Sequence, residues 1–229
     1  MTPLNQIPIP ELYVSPEAAE KLTEEGTKLP RWVLSEQQAG DLELLMNGGF
    51  FPLRGFMTQA DCDSVRRDGT LISGAAWPLP VTLGVDDDFA GRIEPGDDIA
   101  LSDGSDLLAI MSVTDHWQSD GVTHLGGKVK GLRPPAKAGD TPNQLRRMFR
   151  QAGWEDVTAL YDGNGLADAQ SPVMLVLPVT DQLEDHPDAF IHDNICTARI
   201  RLFDRAENAA MTALREIVGR NHGATRVHS

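Results

Sequence analysis

Between Trp77 and Val129 the chain repeats one pattern that limits its folds more than any other. Four apolar stretches, Trp77–Val85, Asp98–Ser102, Leu107–Thr114 and Thr123–Val129, are separated by DDD, EPGD, SDGSD and QSDG. Short apolar runs broken by glycine-acid turns read as closely spaced strands, which predicts a small antiparallel barrel or sandwich. Helical signals precede it. Ser15-Pro16-Glu17 offers a hydroxyl cap, a proline at the first helical position and an early acid, which predicts a helix through Leu22 that stops at Lys28-Leu29-Pro30. Ser35-Glu36-Gln37-Gln38 is a capping box, and Ala39, Leu42, Leu45 and Met46 continue one helical face up to Asn47-Gly48-Gly49. A third helix is expected from Thr58 to Asp68-Gly69. Residues 1–135 therefore read as an α+β domain, and residues 133–137 as a linker.

The pattern changes after the linker. Thr141-Pro142-Asn143-Gln144 opens a helix with Leu145, Met148 and Phe149 on one face, ended by Gly153. Val157–Tyr161 and Val173–Pro178 read as strands, the second apolar enough to lie inside a parallel sheet. Ile195–Leu202 alternates, with Cys196, Ala198, Ile200 and Leu202 on one side and Thr197, Arg199 and Arg201 on the other. Asp204 then caps a helix buried through Met211, Leu214, Ile217 and Val218. Residues 141–229 thus read as a second, parallel α/β domain, short for its class.

Charge narrows the functions. The formal net charge is −14, with pI near 4.7. Nucleic acid is held largely by cation–phosphate contacts, so no nucleic-acid partner is expected. Residues 81–122 carry ten carboxylates against Arg92 alone. Residues 196–229 carry Arg199, Arg201, Arg205, Arg215, Arg220 and Arg226. Both blocks read as solvated surface, with the arginine block as the one candidate anion site. No apolar run approaches the ~20 residues that span a bilayer, so no membrane partner is expected. Cys62 and Cys196 form no CxxC pair, and the first residues show no secretory pattern. A reducing cytoplasm with two free thiols is the expectation.

Several segments could carry chemistry. Asp162-Gly163-Asn164-Gly165 follows a predicted strand, where open α/β sheets bind ligands. A glycine-rich turn there either presents amides to a phosphate or only uses glycine's backbone freedom. Asp185, His186, Asp188, His192 and Asp193 are either metal ligands or a polar loop; their spacing matches no HExxH site. We assign no metal and no catalytic residue. His116 and His124 fall among strands and read as structural. Leu125-Gly126-Gly127-Lys128-Val129 is not a phosphate loop, because the first glycine and the final Ser or Thr of that motif are missing.

The segment from Leu34 to Met57, with Asp41-Leu42-Glu43-Leu44-Leu45-Met46-Asn47-Gly48-Gly49-Phe50 and Pro52-Leu53-Arg54-Gly55-Phe56-Met57, resembles the "DLELLLNGGFSPLTGFM" signature of the ATP sulfurylase (sulfate adenylyltransferase) family. Trp77–Leu83 is similar to its "WPIPVTL", Leu125–Val129 to its "LGGKV", residues 142–154 to its "TPAELRALFAERGW", and Arg220–Thr225 to its "RKNYGATHF". The resemblance covers most of the chain in the family's order. It implies a PUA-like N-terminal domain with a small β-barrel, then a Rossmann-like nucleotide-binding α/β domain. The family joins sulfate to the α-phosphate of ATP, giving adenylyl sulfate and pyrophosphate, with magnesium.

The resemblance fails at the site. The family's "VVAFQTRNPMHRAH" falls without a gap on Val157–Gln170. Tyr161 replaces its glutamine, Asp162 its threonine, Gly163 its arginine and Gly165 its proline. Asn164 is kept. Ala167 and Gln170 replace both histidines. Losing a cation and gaining a carboxylate inverts the charge where sulfate and triphosphate would sit, and each charge is worth roughly 4 kcal/mol at ~4 Å and an effective dielectric near 20. The stretch from Trp117 to Gly126 lacks the family's "HPGV", Ser171-Pro172 leaves little room for a helix before the next strand, and Ser229 falls where "GRDHAG" would begin. The expectation is a degenerate, truncated relative without catalytic activity, a binding or assembly module linked to sulfate assimilation. Tyr161, Asp162, Gly163, Asn164 and Gly165 would be a vestigial nucleotide site. ATP and magnesium would be cofactors only if the family activity survives, with the site completed by another chain. Uncovered strands in the second half predict a homodimer, and other sulfate-assimilation enzymes are candidate partners.

Overall fold

The structure, a computed structural model, describes residues 8–136, 138–154, 157–160, 172–178, 190–193 and 195–200. These residues fall into two compact units. One comprises Glu11–Met46 and Pro52–Ala136; the other comprises Met1–Pro10, Asn47–Phe51 and Lys137–Ser229.

In the first unit, α1 (Pro16–Gly26) begins where Ser15 Oγ accepts the Ala18 N–H at 3.3 Å. It runs one turn beyond the expected Leu22, because Thr23, Glu24 and Glu25 carry no helix breaker. Strand β1 (Arg31–Val33) follows. The capping box then closes as the sequence requires: Gln38 N–H donates to Ser35 Oγ at 3.2 Å and Ser35 N–H to Gln38 Oε1 at 3.0 Å, opening α2 (Glu36–Met46). Strand β2 (Gly55–Phe56) leads to α3 (Gln59–Asp68), capped by the Thr58 hydroxyl and ended by Gly69 at φ 66°.

Of the expected strand at 77–85 only β3 (Leu83–Val85) forms. Pro78 and Pro80 remove two ladder donors, so the chain before it is held by single bonds such as Trp77 N–H to the Gly69 carbonyl at 2.8 Å. The DDD segment is no simple turn, since the Asp86 carboxylate caps the short helix α4 (Asp87–Ala90). Strands β4 (Asp98–Ser102), β5 (Leu107–Ser119) and β6 (Val122–Gly131) complete the unit. They pair in the order β1-β4-β5-β6-β2, with β3 also on β6, and β1 lies parallel to β4.

Among the described residues the small barrel or sandwich expected of these strands does not close, and the sheet is an open path. One flank of β6 carries β5 along its whole length, and the other carries β3 and β2 in succession. Two strands of two or three residues are too short to continue the sheet round to β1. The core lies on both faces of β4 and the start of β5: Ile99, Leu101, Leu108, Ile110 and Met111 are fully buried, as are Leu42, Leu45 and Met46 of α2, and Ala100, Leu107 and Ile110 pack with Leu132 against Val14, Ala19, Leu22 and Leu29. Burial of each such side chain contributes about 1.5–3 kcal/mol.

The acidic block of this unit has specific structural work. Asp87 accepts from Thr123 Oγ1 at 2.9 Å, Asp97 from the Glu94 N–H at 2.8 Å, Asp98 from Ser112 Oγ at 2.6 Å, and Asp115 from the Gln59 N–H at 2.8 Å. Asp106 pairs with Arg133 at 2.8 Å. These carboxylates cap turns and tie strands together, so the solvated-surface reading was too coarse.

In the second unit, α5 (Pro142–Gln151) starts at Thr141, whose hydroxyl accepts the Gln144 N–H at 3.2 Å. Leu145 and Phe149 are buried and Met148 is half-buried, as the stripe predicts. Its end is a Schellman arrangement: Gly153 at φ 71°, Trp154 N–H to the Phe149 carbonyl at 2.9 Å, and Gly153 N–H to the Arg150 carbonyl at 3.1 Å. Strands β7 (Thr158–Leu160), β8 (Val173–Pro178), β9 (Phe190–His192) and β10 (Ile195–Ile200) form a sheet in the order β7-β8-β10-β9. The first three of that order are parallel, but β9 is antiparallel to β10, so the layer is mixed rather than purely parallel. Asp193, at φ 53°, lies in the tight connection that reverses the chain. The helix expected after Asp204 lies outside the described residues.

Candidate functional site

Parallel strands present their C-terminal ends at one sheet edge, and in open α/β sheets that edge receives ligands. Here the register places Leu160 of β7, Pro178 of β8 and Ile200 of β10 at the ends concerned. Tyr161, Asp162, Gly163, Asn164 and Gly165 follow β7 directly in sequence and lie outside the described residues, as do Ala167 and Gln170.

The best-defined polar feature near this edge is one the sequence reading missed. Asp140, immediately before the Thr141 cap, has a side chain only 2% exposed. Its Oδ2 accepts the Arg199 N–H at 2.7 Å, and its own N–H donates to the Arg199 carbonyl at 2.7 Å. Its Oδ1 lies 3.6 Å from Arg199 Nη2. Asp140 thus holds the start of α5 against the end of β10 and neutralises the first arginine of the tail within the chain. The signal was present in the sequence as a carboxylate directly preceding a Thr-Pro cap. The remaining tail arginines lie outside the described residues. Cys196, fully buried on β10, has its thiol pushed up to about 12, by burial and then by Asp140, which makes it a poor nucleophile.

The other candidates separate. His192 and Asp193 form an exposed pair, Nδ1 to Oδ2 at 3.2 Å, while Asp185, His186 and Asp188 lie outside the described residues. Among the described residues no group of three or more His, Cys, Asp or Glu side chains is placed to hold a metal. His116 is exposed; His124 stacks on Trp117 with ring centroids 5.3 Å apart. The Gly126-Gly127 pair serves backbone packing. A Cβ on Gly126 would lie 2.5 Å from the Met57 carbonyl oxygen, and one on Gly127 would lie 3.0 Å from the Ser112 carbonyl carbon and closer still to its oxygen. Lys128 is exposed. Among the described residues no helix is long and apolar enough to cross a membrane.

An α+β module with an open mixed sheet, followed by a second sheet of mainly parallel strands, is the class these observations define. The family model described as a PUA-like domain matches residues 1–129, and the chain belongs to that family. Beyond that domain the similarity extends to sulfate adenylyltransferases. The chain is 34% identical over 201 residues to the sulfate adenylyltransferase of Symbiobacterium thermophilum, covering 74% of this chain and 51% of the relative. It is 30% identical over 205 residues to that of Persephonella marina, covering 75% and 53%. It is 32% identical over 179 residues to that of Eremothecium gossypii, covering 65% and 36%. Among solved structures, the hexameric APS kinase from Thiobacillus denitrificans matches with TM-score 0.65 and 30% identity, covering 73% of this chain and 38% of that one. The chain is therefore a homologue of sulfate adenylyltransferases that spans about a third to a half of the length of the curated relatives it matches.

Proposed function

We propose that this protein is a non-catalytic relative of the sulfate adenylyltransferases, acting as a binding or assembly module linked to sulfate assimilation in the cytoplasm. In this reading residues 1–135 supply a PUA-like module, and residues 141–229 a degenerate catalytic layer. The observation that carries it is the sequence from Tyr161 to Gln170. Where the resemblance calls for an arginine and two histidines it has Gly163, Ala167 and Gln170, and Asp162 adds a negative charge. Joining sulfate to a triphosphate brings two anions together and needs fixed donors at the developing charge; removing several at once costs many orders of magnitude in rate. The Asp140–Arg199 pairing is consistent with this, since that cation already has a carboxylate beside it.

A second reading, an active enzyme whose site is completed by another chain, draws on the retained Asn164 and on the arginines beyond Ile200. Only that reading requires ATP and magnesium. Both readings include a homodimer formed through the second half, and the hexameric assembly named for the structural neighbour makes self-association a natural property to test. Light scattering should give twice the chain mass of 24.9 kDa, and a monomer would remove the dimer. Calorimetric titration with adenylyl sulfate separates the two functional readings. The non-catalytic reading expects no saturable heat; saturable binding that strengthens with magnesium favours the second.

A further inference from the structure

The N-terminal sequence Ile7-Pro8-Ile9-Pro10 leaves Ile9 as the lone backbone donor between two prolines that lack N–H groups. A residue before proline is held extended, so Ile9 can present one N–H and one carbonyl but cannot enter a helix or an ordinary ladder. In the structure both groups meet one side chain. Ile9 N–H donates to Asn143 Oδ1 at 2.8 Å, and Asn143 Nδ2 donates to the Ile9 carbonyl at 2.9 Å. The asparagine amide thereby does what a neighbouring strand residue would do, reading the backbone of an extended peptide in both directions. It is presented rigidly, as the second residue of α5 behind Pro142.

The Ile9 side chain is equally specified. Ile9 is 5% exposed. Gly48, at φ 86°, stands against it: a Cβ there would lie 2.7 Å from Ile9 Cγ2 and 3.1 Å from the Pro10 carbonyl oxygen. Only glycine satisfies both the left-handed backbone and the contact. The turn is held by Asn47 Oδ1, which accepts the Gly49 N–H at 3.0 Å, and by Phe51 N–H donating to the Gly48 carbonyl at 3.1 Å. All of these residues belong to one compact unit.

We infer that the Gly48 notch and the Asn143 amide form a recognition site for an extended, proline-flanked aliphatic peptide, filled in the resting chain by its own Ile9. The strap is the ligand of the site, so a free peptide of the same chemistry competes with it, and its apparent affinity is the intrinsic affinity reduced by the fraction of chains whose strap is open. Prolines on both sides keep a released strap extended and lower the ordering cost of binding again.

The test uses the full chain and a fluorescein-labelled peptide of residues 7–11, Ile-Pro-Ile-Pro-Glu, followed by anisotropy, with amide exchange at Ile9 measured in parallel. Ile9→Gly empties the notch and should raise peptide affinity at least about tenfold over wild type. Added to Ile9→Gly, where the strap competes less, Asn143→Ala should weaken peptide binding on the order of thirtyfold, and by itself it should speed exchange of the Ile9 amide by the same factor, the worth of two hydrogen bonds. In wild type, excess peptide should accelerate exchange at Ile9, a readout that needs no variant to fold. Equal affinity of Ile9→Gly and wild type, undiminished binding when Asn143→Ala is added to Ile9→Gly, or Ile9 exchange unchanged by saturating peptide would each overturn the inference.

Discussion

Replacing Gly126 by alanine tests whether the Leu-Gly-Gly-Lys segment is a packing device or a ligand loop. The new methyl would lie 2.5 Å from the Met57 carbonyl oxygen, 3.0 Å from Thr58 Cα and 3.1 Å from the Met57 carbonyl carbon. All three are backbone atoms, so no rotamer change relieves the contact. Met57 is itself fixed by its N–H bond to the Val81 carbonyl at 2.9 Å, and Thr58 caps α3. The backbone must retreat by about 0.5 Å to bring the closest contact to 3.0 Å, and overpacking against such rigid groups falls at the upper end of the 1–3 kcal/mol range, about 3 kcal/mol. For a chain of this size that lowers the melting temperature by about 6–12 °C. Gly74→Ala is the control. It sits at φ 82° with nothing within 4 Å of the added carbon, so its cost is the left-handed strain alone, about 1 kcal/mol. Differential scanning calorimetry of both variants decides the matter. A Gly126→Ala melt within 2 °C of wild type, or no worse than that of Gly74→Ala, would refute the packing argument.

Three further outcomes follow from the same structure. Asp140→Ala strips a buried carboxylate from Arg199 and should cost about 3–5 kcal/mol in urea melts, with Asp140→Asn costing less; a loss below about 0.5 kcal/mol would contradict the role given to this pair. His124 is held below the ordinary imidazole range, first by burial and then by Arg66. The fold therefore favours its neutral form, and the stability it contributes is complete above the unfolded pKa near 6.5 and is lost as pH falls through the depressed folded value. Acidification from pH 7.5 to 5 should lower the wild-type melting temperature more than that of His124→Gln, and parallel curves would remove this term. Finally, Cys62 and Cys196 are buried, with thiols pushed up to about 11 and about 12, chiefly by burial. Neither should react with a disulfide reagent at pH 8 until denaturant is added; rapid labelling of the native chain would count against this burial.

Local chemistry was the most legible part of the fold. The caps at Ser15, Ser35, Thr58 and Thr141 each stand where a hydroxyl precedes a helical pattern, because capping is decided within four residues. The strands Asp98–Ser102 and Val173–Pro178 were read to the residue. What failed depended on distant partners. Arg31–Val33 is a strand because β4 offers it an edge, and nothing in three residues announces that. Phe190–His192 was hidden by its polar neighbours and is recruited by β10. The aspartates of 81–122 looked alike as charges, yet their roles depend on Ser112, Thr123, Gln59 and Arg133 elsewhere in the chain. At the site, Asp162–Gly165 was legible as a glycine-rich turn after a strand and Tyr161 only through family resemblance, and all five lie outside the described residues. Asp140 was overlooked because its partner Arg199 is 59 positions away.

Pyrophosphate release by the purified chain, supplied with ATP, magnesium and sulfate, tests the central claim most directly. With glycine, alanine and glutamine where an arginine and two histidines would act, the account predicts release indistinguishable from a no-protein control. Sulfate-dependent release at even about one turnover per second, ordinary for an enzyme, would contradict it and return the protein to the catalytic members of its family.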